Sequence, residues 1–194
     1  MKEPGRTDRV ILGIDPGTNI MGYGIIHITG TTARLIEMDI ISLKKEPSHT
    51  IKLKNIFEQT TSIIEKFKPD EVALEAPFYG KNVQSMLKLG RAQGISMAAA
   101  LHRNLPVFEY SPRKIKQSIT GKGTSSKEQV ALMLQRILSI ESLPHLLDAT
   151  DALAVAMCHY FQNKLPSANG KQTSKKYNSW ETFVSNNPGK VSGL

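Results

Sequence analysis

Apolar residues recur at two spacings along this chain, and the changes of spacing divide it into elements. Residues 10–15, Val-Ile-Leu-Gly-Ile-Asp, are a short β-branched run ending at Pro16-Gly17, the pattern of a buried strand closed by a turn. Residues 22–28 and 33–43 read as two further strands with a turn over 29–32, so the three form an antiparallel meander. Between residues 50 and 67 the spacing becomes helical. Ile51, Ile56, Ile63, Ile64 and Phe67 stand among Lys52, Lys54, Glu58 and Glu65, and Pro69-Asp70 stops the helix. Residues 71–75 form a fourth strand.

A long helix is predicted over residues 82–103, opened by Asn82 as N-cap and closed before Pro106. Gly90 and Gly94 lie one turn apart inside it; each costs about 1 kcal/mol against alanine, which implies close approach to another backbone. Residues 106–110 form the fifth strand. Ser111-Pro112 opens a helix through residue 118, with serine as cap and proline at the first position. Gly121-Lys122-Gly123 reads as a flexible hinge. A helix then starts within residues 124–127 and runs to about Ile140, and Pro144 precedes a last one reaching about Phe161. Three antiparallel strands followed by alternating helices and strands give an α/β fold: a mixed five-stranded sheet with helices on both faces.

Composition narrows the class. At 194 residues one compact core is expected. The longest apolar runs, 95–101 and 152–158, fall far short of the ~20 residues that span a bilayer. The first residues lack the apolar stretch of a secretory signal. A single cysteine, Cys158, excludes a disulfide framework and a multi-cysteine zinc site. A cytoplasmic protein is expected. The charge is unevenly placed: the net is +8, and residues 81–127 alone carry nine basic side chains against Glu109. Such a concentrated positive segment is the footprint of a phosphate-backbone binder. Residues 164–194 are rich in Asn, Ser, Lys and Gly and read as a disordered basic tail after a domain over 1–163.

Four carboxylates stand at the ends of elements. Asp15 ends the first strand, Glu75 ends the fourth, and Asp148 and Asp151 sit three apart at the start of the last helix, on one face. Each is flanked by apolar residues, which places it at the rim of a core, where ionised groups are costly unless paired or bound to metal. Asp15-Pro16-Gly17 alone is an ordinary turn, and Asp148 or Asp151 alone suits a helix N-terminus. Together the four acids would repel one another unless divalent cations lay between them, and an all-oxygen donor set selects Mg²⁺ or Mn²⁺ over zinc.

With these residues assembled, the sequence resembles the crossover junction endodeoxyribonuclease RuvC family of the ribonuclease H-like superfamily. The likeness covers about residues 8–163. It rests on Ile14-Asp15-Pro16-Gly17 with Gly22-Tyr23-Gly24, on Leu74-Glu75 with Phe78 and Lys81-Asn82, and on residues 87–94, Leu-Lys-Leu-Gly-Arg-Ala-Gln-Gly. It continues through Tyr110-Ser111-Pro112, Lys116-Gln117, Gly121-Lys122-Gly123 and Lys127-Glu128-Gln129-Val130 to Asp148-Ala149-Thr150-Asp151-Ala152-Leu153-Ala154 with His159. Thr150 departs from the small residue expected there.

The resemblance implies that Asp15, Glu75, Asp148 and Asp151 are catalytic metal ligands holding two Mg²⁺ ions, with Mn²⁺ as a substitute. It implies a homodimer that binds four-way junction DNA beside the RuvA–RuvB branch-migration complex. Such a dimer nicks two strands of like polarity symmetrically, leaving 5′-phosphate and 3′-hydroxyl ends. Lys116 and Lys127 match basic residues near the scissile phosphate. Lys81, Lys88, Arg91, Arg113, Lys114 and Lys122 are expected to grip phosphates, and Phe78 to stack on bases at the crossover. Cys158 is read as a small buried hydrophobe, and His159 as structural or exposed rather than a ligand. Two other readings stay open: a junction-binding relative without catalysis, and an actin-like ATPase fragment, for which no second nucleotide-binding half is present.

Overall fold

The structure, a computed structural model, describes residues 8–77, 82–143 and 147–164. All of them belong to the first of two units, Met1–Lys164; the second, Leu165–Leu194, lies outside the described residues, as does most of the expected tail.

Five strands, β1 (Arg9–Asp15), β2 (Ile20–Thr29), β3 (Thr32–Ser42), β4 (Glu71–Glu75) and β5 (Val107–Tyr110), form one sheet in the order β3-β2-β1-β4-β5. β1, β2 and β3 pair antiparallel, and β4 lies parallel to both β1 and β5. This is the mixed sheet that the hydrophobic spacing predicts. The helices are α1 (His49–Phe67), α2 (Val83–His102), α3 (Pro112–Thr120), α4 (Lys127–Leu138) and α5 (Asp148–Lys164).

The period-2 geometry of β1 sorts its side chains into two cores. Leu12 and Ile14 pack with Ile56, Ile63 and Ile64 of α1 and with Ala92 and Ala100 of α2. Ile11 packs on the opposite face with Ile115 and Ile119 of α3, Val130 and Leu134 of α4, and the apolar residues of α5. Residues 152–160 of α5 are all buried, as expected for a helix apolar on every side. Burial of Leu153, Val155 and Met157 contributes about 2 kcal/mol each. Among the described residues no helix is long and apolar enough to cross a membrane.

Two local expectations need correction. Among the described residues, an added Cβ at Gly90 or Gly94 would meet nothing within 4 Å, so neither glycine serves a close backbone approach to any of them. Gly121 and Gly123 are not a free hinge. Gly121, at φ +78°, is the left-handed C-cap of α3, and its N–H returns to the Gln117 carbonyl. A Cβ at Gly123 would lie 2.6 Å from Arg113 Cγ. The helix after it begins at Lys127 rather than before it, because Ser126 and Gln129 close a capping box.

Candidate active site

Asp15 shares the face of β1 occupied by Ile11 and Gly13, the face that α5 covers. What brings α5 so close is a row of absent side chains. A Cβ on Gly13 would fall 2.3 Å from the Ala152 carbonyl oxygen, one on Gly22 2.0 Å from that of Asp148, and one on Gly24 2.7 Å from Leu153 Cα. Gly13 pairs with Gly24, and Asp15 with Gly22, across β1 and β2. The first turn of α5 therefore rests directly on the end of β1. Carboxylate oxygens of Asp15, Asp148 and Asp151 lie within 4.8 Å of one another. Glu75 ends the adjacent parallel strand at the same edge and stands outside that trio, next to Asp15.

Asp15, Glu75 and Asp151 line a cleft of about 270 Å³ whose other walls include Ile115 and Lys116 of α3, Lys127 and Val130 of α4, and Ala154. A second hollow of about 350 Å³ opens beside it, sharing Asp15, Glu75 and Lys127 and bounded by Pro16, Pro77, Leu89 and Gln93. The Gln93 amide donates to the Glu75 carbonyl at 3.4 Å. Lys127, placed at the first position of α4 by the capping box, forms an ion pair with Asp151.

Burial and mutual repulsion together favour the protonated forms of these carboxylates. Burial, then the charges of Glu75 and Asp151, push Asp15 up to about 8, with Lys127 opposing them. Burial and Asp151 push Glu75 up to about 7, against Lys127 and Lys116. Burial also raises Asp151, although Lys127 opposes it. Burial pulls Lys127 down, but the bond and charge of Asp151 outweigh it and leave the amine raised. One lysine does not neutralise this much negative charge. Three carboxylates within 4.8 Å, all oxygen donors and short of positive charge, fit a hard divalent cation.

A pH dependence follows. Asp15 and Glu75 hold protons more firmly folded than unfolded, so without metal their contribution to stability is complete below about pH 4 and is lost as pH rises through 7 and 8. Asp15→Asn removes the Asp15 share of that loss and leaves the Glu75 share. Metal-free Asp15→Asn should melt with the parent near about pH 4 and above it by roughly 2 kcal/mol, several degrees, near about pH 9. A difference that stays flat across this range would mean that the carboxylates do not crowd one another.

The structure gathers Asp15, Glu75, Asp151, Lys116 and Lys127 around one cleft and Asp148 against it. Lys88, Arg91, Arg113, Lys114 and Lys122 are all exposed, but Arg113 and Lys114 lie with Gln117 and Gln162 on the side of α3 away from the acids. Phe78 and Lys81 lie outside the described residues. Cys158 and His159 are fully buried, as a structural reading expects. Sequence reasoning misses Gln93 and the glycine seat under α5 as parts of the site. Gly13, in the middle of an otherwise β-branched strand, is the available signal for the seat, because glycine there weakens a strand unless a backbone comes close.

Comparison with known proteins gives a consistent picture. The family model described as Crossover junction endodeoxyribonuclease RuvC matches residues 11–159. A protein of that name from Cytophaga hutchinsonii is 55% identical over 188 residues, covering 97% of this chain and 90% of its own. The one from Porphyromonas gingivalis is 56% identical over 187 residues, covering 95% and 97%. A solved structure, Thermus thermophilus RuvC in complex with Holliday junction substrate, matches with a TM-score of 0.74 at 31% identity, over 80% of this chain and 94% of that one.

Proposed function

The chain belongs to the crossover junction endodeoxyribonuclease RuvC family, and from that premise we propose that it resolves Holliday junctions by hydrolysing one phosphodiester in each of two strands of like polarity. The observation that supports this reading most is the trio Asp15, Asp148 and Asp151 within 4.8 Å, beside Glu75 and two lysines in one cleft. The ends released are 5′-phosphate and 3′-hydroxyl, so the nicks can be sealed during recombination and repair. Labelled four-way junction beside linear duplex of the same sequence tests it. Paired symmetric cuts in the junction alone are expected; equal cutting of both would refute structure selectivity.

Asp15, Glu75, Asp148 and Asp151 hold the metal in this reading, Mg²⁺ by preference and Mn²⁺ as a substitute. When bound, a pair of such ions supplies charge neutralisation on the phosphate and acidifies a coordinated water. Asp15 lies between Glu75 and the α5 pair, so it is the ligand best placed to be shared. Its proton is retained near neutral pH by burial and by the neighbouring acids, and a bound cation would favour its loss. Lys127 orients Asp151 and, with Lys116, faces negative charge developing at the phosphate. Phe78 stacks on bases at the crossover, next to Glu75 in sequence.

Basic residues outside the cleft, Lys81, Lys88, Arg91, Arg113, Lys114 and Lys122, hold backbone phosphates. Replacing Lys88, Arg91 and Lys122 together by alanine should weaken junction binding and flatten the plot of log affinity against log salt by about 0.9 for each phosphate left without its cation. An unchanged slope would remove these side chains from the interface.

Homodimerisation is supported by the outer face of α2. Val83, Leu87, Gly90, Gly94, Ala98 and Leu101 recur at helical spacing. Val83, Leu87 and Leu101 are 63%, 52% and 56% exposed, a large apolar stripe for a solvated helix. A second copy laid on this stripe also gives the two glycines a close backbone approach that they lack among the described residues. RuvA–RuvB is the companion complex in this reading, the cytoplasm its location, and residues 1–163 the nuclease domain ahead of a basic tail over 164–194.

A further inference from the structure

A buried polar chain lies outside the cleft and takes no part in the chemistry above. His159, two turns beyond Asp151 on α5, has no exposed surface. Its Nδ1 is 2.7 Å from the Tyr110 phenol oxygen and its Nε2 is 2.9 Å from Glu71 Oε2. Arg9 reaches the other Glu71 oxygen at 3.4 Å, and the Phe108 ring lies 4.3 Å from the imidazole. The bond from His159 holds Glu71 below the usual carboxylate range against the opposing effect of burial. An ionised carboxylate only accepts, so Nε2 carries the hydrogen, and in the neutral ring Nδ1 accepts from the Tyr110 hydroxyl.

Apolar residues of the same shape would fill this space with little or no loss of stability. What the polar chain adds is position. Tyr110 is the last residue of β5. Its carbonyl accepts the N–H of Ala76, the neighbour of Glu75, at 2.9 Å. The next residue, Ser111, is the N-cap of α3, and α3 carries Lys116 into the cleft. Tyr110 thereby joins the strand of Glu75, the helix of Lys116 and, through His159, the helix of Asp148 and Asp151.

We propose that Tyr110, fixed by His159 and Glu71, is a positioning residue for the reaction: it sets where α3 starts and so where Lys116 stands relative to the acids. This rests on the reading of Lys116 given above. A displacement of about 1 Å in such a cleft costs up to roughly 100-fold in rate.

A double-mutant cycle on single-turnover cleavage of a four-way junction tests it. Tyr110→Phe keeps the ring and removes only the hydroxyl. It should slow cleavage about tenfold with junction affinity within about twofold, and Lys116→Ala should slow it about 100-fold. If Tyr110 acts through Lys116, the double variant cleaves no more slowly than Lys116→Ala alone, within about twofold. Two independent losses that multiply, or a Tyr110→Phe variant as fast as the parent, overturn the proposal. A Lys116→Ala variant that cleaves normally overturns the reading of the cleft on which it rests. Should Tyr110→Phe melt below the assay temperature, Glu71→Gln loosens the same chain from its outer end and enters the cycle in its place.

Discussion

Asp15→Asn should abolish cleavage, lowering turnover by about 10³-fold or more, while leaving junction affinity intact. Asparagine matches aspartate in shape and keeps one oxygen, but it cannot carry the charge that a cation needs at the centre of the cluster. Asp15 is the residue whose titration responds to Glu75, Asp151 and Asp148 alike, so its loss unlinks the strand acids from the helix acids. On the reading proposed above, affinity rests on phosphate contacts spread over exposed lysines and arginines, which the substitution does not touch. Without metal, Asp15 holds its proton near neutral pH, so asparagine removes no charge there and binding should be unchanged. Gel-shift and cleavage assays on one preparation separate the two quantities. Parental turnover in Asp15→Asn would dismiss the cluster as the site of chemistry.

Gly22→Ala should be nearly as damaging, for a steric reason. Its Cβ would stand 2.0 Å from the Asp148 carbonyl oxygen, in the first turn of α5. A backbone atom of a buried helix cannot step aside as the end of a side chain can, so α5 must lift from β1. We expect a loss of about 2–4 kcal/mol in stability. At a temperature where the variant remains folded, we expect a fall in cleavage of about 100-fold, because Asp148 and Asp151 move together away from Asp15. Thermal melting with turnover measured well below the transition tests both halves. A variant with parental melting and parental turnover would mean that α5 does not rest on the strand as described.

Much of this arrangement is legible in the sequence because turns and caps mark where elements end. Pro16-Gly17 after Asp15, and Pro77 soon after Glu75, announce strand ends. Ser111-Pro112 announces the start of α3, and all three are borne out. A residue at the end of a parallel strand belongs to the rim of the sheet, so two of the four acids can be placed without coordinates. The spacing of Asp148 and Asp151 puts them on one helix face but does not say against what. Gly13, Gly22 and Gly24 answer that, and only jointly, since each alone passes for a local backbone need.

Contacts between residues far apart in the chain are a different matter. Tyr110 and His159 are 49 positions apart, and His159 and Glu71 are 88 apart. No local periodicity encodes such pairs, so His159 can be read as structural but not given partners. The glycines of α2 show the converse limit. Their cost in a helix suggests that another backbone approaches, yet among the described residues nothing lies within 4 Å of a Cβ added at either. Spacing along one polypeptide cannot distinguish a neighbour in the fold from a neighbour in a second molecule.

We propose that acids from β1, β4 and α5 act as one cage for divalent metal, and anomalous diffraction from crystals soaked in Mn²⁺ tests this most directly. Manganese peaks are expected among the carboxylates of Asp15, Asp148 and Asp151, with Glu75 as a further ligand, and no such peaks in Asp15→Asn. A well-ordered parent crystal with manganese bound elsewhere, and none among these oxygens, would contradict it.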